Sequence, residues 1–146
     1  MGNICRSPAA ECLMRAAIEE QKIEDQFVLD SAGTGGWHVG NKPDKRMRAS
    51  ANAVGRSIDG AARQVCSDDF DTFDWIFCMD HDNYANLISM GANPEKTRLL
   101  LEFIAHPTVI EVPDPYYGGE SGFTDVITLI DGAVRDLIKR LITTAQ

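Results

Sequence analysis

The feature that most restricts the fold is an uninterrupted apolar run in the middle of the chain, Trp75-Ile76-Phe77-Cys78-Met79. A strand with one face in water alternates apolar and polar residues, whereas a strand covered on both faces is apolar throughout. Shorter apolar segments at Phe27-Val28-Leu29 and Arg98-Leu99-Leu100-Leu101 predict further strands. The chain therefore carries the short buried strands that are typical of a parallel sheet.

Helical patterns separate these strands. Apolar residues recur with the helical period from Ala9 to about Gln21 and from Phe123 to Ile142. Two shorter helices are predicted at Asp44–Val54 and His81–Met90, each followed by a glycine that can end a helix. Because strands that alternate with helices are typical of the α/β class, we predict a doubly wound parallel sheet of about four strands with helices on both faces.

Size, charge and targeting signals exclude several classes of protein. A chain of 146 residues is long enough for one domain with a core, so we predict a single domain over residues 1–146. No apolar run reaches the roughly 18 residues that cross a bilayer, and no secretory signal precedes the first helix, so we expect a cytoplasmic protein. The formal net charge of −8 argues against nucleic-acid binding.

The cysteines and histidines show no metal-ligand spacing, so no metal or other cofactor is predicted. In a chain without a secretory signal we expect the thiols to stay reduced. The residues concerned are Cys5, Cys12, Cys66 and Cys78. Cys12 and Cys78 stand among apolar residues and are expected to be small buried hydrophobes. The histidines, expected at the surface, are His38, His81 and His106.

The first eight residues, Met1-Gly2-Asn3-Ile4-Cys5-Arg6-Ser7-Pro8, have the composition of an anion-binding loop that enters a helix. Backbone N–H groups at a helix N-terminus lack partners within the helix and can bind a phosphate. Gly2 allows a tight turn, Asn3 tolerates a left-handed conformation, and Arg6 can present two donors to phosphate oxygens. Pro8 suits the first helical turn and Ser7 the N-cap. Taken alone, such a loop could also be an ordinary turn.

The segment from Gly2 to Pro8 resembles the signature of the low-molecular-weight protein tyrosine phosphatases, C-x-G-N-x-C-R-S. Further matches follow in order along nearly the whole chain: Asp30-Ser31-Ala32-Gly33-Thr34, Trp37, Pro43-Asp44, Ala62-Arg63-Gln64, Phe70-x-x-Phe73-Asp74, Cys78-Met79-Asp80 and Pro113-Asp114-Pro115-Tyr116-Tyr117. The resemblance implies the phosphotyrosine phosphatase I-like fold. It also implies a cytoplasmic, metal-free enzyme that hydrolyses phosphotyrosyl proteins and small aryl phosphates, without nucleic-acid or membrane partners.

The same resemblance implies a role for each site residue. A cysteine thiolate would attack phosphorus and form a phosphocysteine, while Arg6 would bind the phosphate oxygens. Asp114 would protonate the leaving oxygen and then accept a proton from water. Phosphate binding is implied for Gly2, Asn3, Ile4, Cys5 and Ser7, and a substrate pocket for Trp37, Tyr116 and Tyr117.

The first residue of the chain falls one position after the nucleophile of this pattern, with Met1 at the variable position. Cys5 does not replace the nucleophile, because Arg6 follows it directly and no five-residue loop separates the two. In the family, the cysteine at this position can form a disulfide with the nucleophile. The apolar strand that precedes the loop in the family is also missing, so we expect that the chain as written lacks activity. Either Met1 is an internal methionine taken as the start, which we expect, or the chain is a natural truncation or an inactive isoform.

Two other functions stay open on the sequence. A non-catalytic remnant that binds phosphate or phosphotyrosine would keep Gly2 to Ser7 and Asp114 but would not hydrolyse an aryl phosphate. An arsenate reductase would need additional thiols close together in a mobile segment. Cys66 and Cys78 do not provide them, because Cys78 falls in a predicted buried strand. The run Asp114-Pro115-Tyr116-Tyr117 also favours the phosphatase.

Overall fold

The computed structural model describes residues 5–104, 109–115 and 120–145. Within these ranges the helices and strands are α1 (Arg6–Glu20), α2 (Lys45–Ala53), α3 (Ser67–Thr72), β1 (Ile76–Cys78), α4 (His81–Ser89), β2 (Thr97–Leu99) and α5 (Glu120–Ala145), with 3-10 turns at Glu24–Gln26 and Leu100–Phe103. None of the helices in these ranges is long and apolar enough to cross a membrane.

The two strands form a parallel pair, with Ile76 opposite Thr97, Phe77 opposite Arg98 and Cys78 opposite Leu99. Helix α4 makes the connection between them. This βαβ unit confirms the predicted α/β class and the parallel direction of the sheet. The predicted strand Arg98–Leu101 is shifted, because the chain turns into a 3-10 helix at Leu100.

The sheet has fewer strands than the sequence predicts, even though the first of the about four strands of this fold is expected to be missing from this chain. Among the described residues it has two strands, and one isolated parallel bridge joins Gly33 to Gln64. The predicted strand Phe27–Leu29 is not formed, because no strand of the described residues pairs with it. A groove separates this segment from β1. Strand formation depends on such a partner, which a local apolar pattern cannot reveal.

Helix α1 begins earlier than predicted. The N–H of Ala9 donates to the carbonyl of Cys5 at 3.2 Å, so Cys5 is the N-cap and Arg6 the first helical residue. Ser7, predicted as the N-cap, lies inside the first turn, and that prediction is wrong. The expected place of Pro8 in the first turn is confirmed, since a proline there sacrifices no helical hydrogen bond.

The capping residues of α2 and α4 confirm both predicted helices. The Asp44 carboxylate accepts from the N–H of Arg46 at 2.8 Å at the start of α2. The Asp80 carboxylate accepts from the N–H of Asn83 at 2.7 Å at the start of α4. Both helices end before a glycine with positive φ, at Gly55 and Gly91.

Two further helical features go beyond the sequence expectations. Helix α5 is longer at both ends than the predicted Phe123–Ile142. The short helix α3 was not predicted, because its apolar content is a single buried residue, Phe70. Its start is fixed by Asp69, whose carboxylate accepts from the N–H of Cys66 at 2.9 Å and from Arg63 at 2.9 Å.

The main core lies between α1 and α5. Leu13 and Ala17 on α1 and Ile130 and Leu137 on α5 belong to this core, and all four are buried. A smaller cluster fills the space between the sheet, α3 and α4: Phe70, Cys78, Leu87, Ala92 and Leu99. The first cluster therefore holds α1, together with Cys5 at its start, against the body of the protein.

We expect Ile130→Ala to lower the free energy of unfolding by about 3 kcal/mol, because Ile130 is completely buried and its loss leaves a cavity. Urea denaturation followed by circular dichroism measures the effect. Val39→Ala is the control, since Val39 is exposed and its truncation should change the stability by less than about 0.5 kcal/mol. Equal stability of the two variants would contradict the assignment of the core.

Candidate active site

Arg6 is the buried cation at the centre of the site, with 4% of its surface exposed. Its Nη1 donates to a carboxylate oxygen of Asp80 at 2.6 Å and to the carbonyl oxygen of Val112 at 2.8 Å. Its Nη2 lies 3.8 Å from the carboxylate of Asp114. One guanidinium thus joins the start of α1, the end of β1 and the segment 109–115. A planar group with several partners is held in one orientation.

Asp80 links the sheet to Arg6. It follows β1 directly, at the carboxyl end of the strand, where ligands bind in open α/β sheets. One carboxylate oxygen caps α4 and the other accepts from Arg6. Burial by itself raises the pKa of Asp80, but the hydrogen bonds from the Asn83 N–H and from Arg6 outweigh it and hold this pKa below its usual range. Asp80 therefore lies beside Arg6, at the start of α1.

The segment that carries Asp114 is fastened to the end of β1. The N–H of Val112 donates to the carbonyl oxygen of Met79 at 2.7 Å. The backbone N–H of His81 donates to the Glu111 carboxylate at 2.9 Å, and the His81 ring Nδ1 lies 2.6 Å from the same oxygen. These contacts place Asp114 beside Arg6 while leaving 30% of its side chain open to solvent. Solvent exposure is compatible with proton exchange during a reaction.

The contacts of Glu111 and of the Val112 carbonyl were not foreseen from the sequence. A backbone carbonyl has no side-chain pattern that could identify it. Glu111 precedes the Pro113-Asp114 motif without being part of it, and its partner His81 was expected only to be a surface residue. His81 is exposed, as expected.

Cys5 is a buried thiol rather than a nucleophile. Burial, with a smaller effect of the carboxylates of Asp44 and Asp114, raises its pKa to about 12 against the opposing charges of Arg46 and Arg6. A thiol with such a pKa carries almost no thiolate near neutral pH. This agrees with the expectation that Cys5 does not replace the missing nucleophile.

The other cysteines are free thiols as well. Cys78 is buried, as expected, and burial raises its pKa to about 12. Cys12 is only half-buried, so the expectation of full burial is wrong. Its Sγ lies 3.2 Å from the carbonyl of Ser57, because α1 places it at the edge of the core rather than within it. Cys66 is exposed and precedes α3.

The structure places only part of the expected phosphate loop and pocket. Ser7 lies in the first turn of α1, half-buried. Trp37 has 65% of its surface exposed, and its ring lies against Gly35, where a Cβ would collide with it. The remaining predicted site residues lie outside the described part of the chain: Gly2, Asn3, Ile4, Tyr116 and Tyr117.

The depressed pKa of Asp80 predicts a measurable pH dependence of stability. A carboxylate whose folded pKa lies below its unfolded value stabilises the fold above about pH 4 and loses this contribution as the pH falls through the folded value. Between pH 5 and 3, the Asp80→Asn variant should therefore take up fewer protons on unfolding than the unchanged protein, by up to about one. Urea titrations across this pH range measure the slope of the free energy of unfolding against pH.

Ser89→Ala is the control for that titration, because the residue does not titrate and lies at the far end of α4. Its slope should match that of the unchanged protein. An unchanged slope in Asp80→Asn would contradict the ion pair with Arg6.

Comparison with known proteins assigns this architecture to one family. The family model for low molecular weight phosphotyrosine protein phosphatase matches residues 1–146. The low molecular weight protein-tyrosine-phosphatase YfkJ of Bacillus subtilis is 40% identical over 141 residues, covering 94% of this chain and 89% of that protein. The human low molecular weight phosphotyrosine protein phosphatase is 39% identical over 131 residues, covering 86% of this chain and 82% of that protein.

Comparison with a solved structure shows that the fold is shared as well. The protein tyrosine phosphatase of Entamoeba histolytica superposes with a TM-score of 0.94 at 40% identity, over 100% of this chain and 95% of that chain. Sequence motifs, the parallel βαβ unit and the buried Arg6 beside two carboxylates agree with these matches. This chain belongs to the low molecular weight phosphotyrosine protein phosphatase family.

Proposed function

We propose that this protein hydrolyses phosphotyrosine in proteins and small aryl phosphates, with Arg6 as the phosphate-binding cation and Asp114 as the general acid. The observation that carries the proposal is the buried guanidinium of Arg6, held by Asp80 and lying 3.8 Å from Asp114. A fixed guanidinium can bind two phosphate oxygens and neutralise the charge that develops on them. The family relationship supplies the reaction class.

The proposed reaction has two steps. A cysteine thiolate attacks phosphorus, the bond from phosphorus to the aryl oxygen breaks, and Asp114 gives its proton to that oxygen. Water then attacks the phosphocysteine, its proton passes to Asp114, and the phosphorus–sulfur bond breaks. Inorganic phosphate leaves and the thiolate is restored. Arg6 contacts the phosphate oxygens in both steps, which is why its rigid support by Asp80 and Val112 matters.

The N-terminus of α1 supports the binding of an anion at this place. Its first backbone N–H groups follow Cys5, and Arg6 is the first helical residue, so helix dipole and guanidinium act on the same site. We propose that Gly2, Asn3, Ile4, Cys5 and Ser7 surround the phosphate, and that Trp37, Tyr116 and Tyr117 contact the aryl ring. Cys5 contributes its backbone and not its thiolate.

In the family pattern the nucleophilic cysteine stands one position before the residue that matches Met1. The test therefore compares two proteins. One is the 146-residue chain, and the other carries a designed apolar strand of about five residues ending in cysteine, joined directly ahead of Met1. We call the second protein the thiol-complete form. Only this form should hydrolyse para-nitrophenyl phosphate.

A third protein, in which that added cysteine is replaced by serine, is the matched control and should bind phosphate without turnover. Hydrolysis by the thiol-complete form alone would support the proposal. Absence of hydrolysis in a thiol-complete form that folds and binds phosphate would overturn it and would favour the non-catalytic binding function.

The remaining features of the proposal concern domain, partners and compartment. We propose one domain over residues 1–146, phosphotyrosyl proteins as partners, and no nucleic-acid ligand, since the net charge is −8. A cytoplasmic location is supported by the four free thiols, which are typical of a reducing compartment.

A further inference from the structure

The segment 109–115, which carries Asp114, is attached to the protein through few contacts. None of its residues belongs to a helix or a strand. One hydrogen bond joins its backbone to that of another described residue, from the Val112 N–H to the Met79 carbonyl oxygen at 2.7 Å. The Val112 carbonyl oxygen accepts from Arg6, and the Val112 side chain is buried. Val112 is therefore one point of attachment, and the direction of the chain beyond it depends on additional contacts.

Glu111, one residue before Val112, supplies a second point of attachment. Its Oε1 accepts from the backbone N–H of His81 at 2.9 Å and lies 2.6 Å from Nδ1 of the same histidine. An ionised carboxylate only accepts hydrogen bonds, so the ring donates from Nδ1. Because two donors of one residue converge on one oxygen, they fix both the position and the direction of the Glu111 side chain. We call His81 and Glu111, joined by these two contacts, the clasp.

The start of α4 favours a carboxylate at this position. His81 is the first residue of α4, so its N–H has no partner within the helix and stands at the positive end of the helix dipole. The hydrogen bond from this N–H, followed by the one from the ring, lowers the pKa of Glu111, while the negative charge of Asp80 opposes the shift. Glu111 is therefore ionised at neutral pH and accepts both bonds.

Two prolines couple the clasp to Asp114. Pro113 and Pro115 stand on either side of Asp114 in the sequence. Proline fixes its own φ and restricts the residue before it to extended conformations, so Val112 and Asp114 are restricted as well. Few free backbone rotations remain between Glu111 and the Asp114 carboxylate. A displacement at the clasp is therefore passed on to Asp114 instead of being absorbed by the chain.

The effect of the clasp should be local rather than global. The side chains of His81 and Glu111 are 57% and 47% exposed, and exposed ion pairs contribute little to the stability of a whole protein. Segments with few buried contacts open at a much lower free energy than the whole fold, so a weak contact can still control their position. Proton transfer requires hydrogen-bond distance, so a small displacement of the acid lowers its rate.

We propose that the clasp positions Asp114 for proton transfer and thereby determines how efficiently the protein releases strongly basic leaving groups. His81 is the positioning residue, and it acts on Asp114 through Glu111. The structural part of the proposal, that the clasp holds the segment 109–115, stands on the contacts alone. The kinetic part rests on the proposed function, in which Asp114 protonates the leaving oxygen.

The structural part is tested on the 146-residue chain by amide hydrogen exchange read by NMR. In Glu111→Ala the Val112 N–H should exchange about fivefold faster, because both contacts are lost and the segment opens more easily. His81→Ala removes the ring but keeps the backbone N–H, so the acceleration should be smaller, about twofold. Glu111→Gln keeps an oxygen that accepts both bonds and should restore slow exchange. Unchanged Val112 exchange in Glu111→Ala would overturn the proposal.

Glu95→Ala is the matched control for the exchange experiment. Glu95 is exposed and precedes β2, whereas Asp80 follows the parallel strand β1, so the two lie at opposite ends of the sheet. The substitution removes the same charge and should leave Val112 exchange unchanged. Circular dichroism verifies that all variants fold. Equal acceleration in Glu95→Ala and Glu111→Ala would overturn the proposal, because it would indicate an effect of net charge.

The kinetic part is tested in the thiol-complete form with two substrates. Glu111→Ala should lower kcat for phenyl phosphate about fivefold and leave KM within about twofold, because the phosphate site is unchanged. For para-nitrophenyl phosphate, whose leaving group depends less on a proton, kcat should fall less than about twofold. Glu111→Gln should recover most of the kcat that is lost with phenyl phosphate. Equal losses with both substrates, or a change in KM alone, would overturn the kinetic part.

The outcomes separate this proposal from the proposed function. If the unchanged thiol-complete form folds and binds phosphate but does not hydrolyse either substrate, the proposed function and the kinetic part both fall, and the exchange data alone support the clasp. If that form is active and Glu111→Ala exchanges faster at Val112 without any kinetic change, the proposed function stands and the positioning role is overturned.

Discussion

Replacing Asp114 with asparagine in the thiol-complete form is expected to lower kcat for phenyl phosphate about a thousandfold. General acid catalysis contributes roughly 10² to 10⁴ in rate, and its contribution is largest when the leaving oxygen is strongly basic. Phenolate needs a proton to leave, whereas para-nitrophenolate leaves more readily without one. The loss with para-nitrophenyl phosphate should therefore be at least tenfold smaller. Steady-state kinetics with both substrates measure the difference.

Asp82→Asn is the matched control for this experiment. Asp82 lies in the first turn of α4, two positions beyond Asp80, and it is exposed. Its replacement changes the local charge by the same amount without touching Arg6, so kcat should stay within about twofold. An equal loss for both substrates in Asp114→Asn would contradict proton donation by Asp114 and would indicate a role in binding.

Replacing Arg6 with lysine is expected to weaken the binding of inorganic phosphate at least a hundredfold and to lower kcat/KM about a thousandfold. Lysine keeps the positive charge but loses the planar pair of donors, and it cannot bond to Asp80, Val112 and a phosphate at the same time. Phosphate binding can be measured on the 146-residue chain by calorimetry, and kcat/KM on the thiol-complete form.

Arg15→Lys is the control for the Arg6 substitution. Arg15 is on the same helix, pairs with Glu11 at 2.9 Å and is exposed. The stability of Arg6→Lys should also be measured, since Asp80 and the Val112 carbonyl lose part of their hydrogen bonding. Phosphate affinity that is unchanged in folded Arg6→Lys would exclude Arg6 as the phosphate-binding cation.

Local signals in the sequence predicted the helices better than the strands. Asp44 and Asp80 cap α2 and α4 through their own carboxylates, and glycines with positive φ follow both helices. These interactions involve residues within a few positions of each other, so the sequence contains all the information they need. The short helix α3 was missed because a single apolar residue gives no periodicity.

The segment Phe27–Leu29 shows that a local pattern is not sufficient to predict a strand. Its apolar composition predicted a strand and that prediction is wrong, because a strand is formed only where a partner is within hydrogen-bonding reach. A groove lies between this segment and β1, in the place that a pairing strand would occupy. Whether such a segment pairs depends on residues far away in the chain, and no local pattern contains this information.

The candidate site was predictable where a side chain carries the chemistry. Arg6, Asp80 and Asp114 come from motifs, and the carboxyl ends of parallel strands bring such residues together. The carbonyl of Val112 and the contact between His81 and Glu111 were not predictable, because they depend on how the segment 109–115 lies on the end of β1.

The partners of Arg6 also have a consequence for the order in which the protein folds. Its contact with Asp80 spans 74 positions along the chain and its contact with Val112 spans 106. Contacts between distant residues close large loops, which slows their formation relative to local helices. We therefore expect the capped helices α2 and α4 to form early, and the arrangement around Arg6 to be among the last events of folding. A folding intermediate of this protein would then contain native helices but bind phosphate poorly.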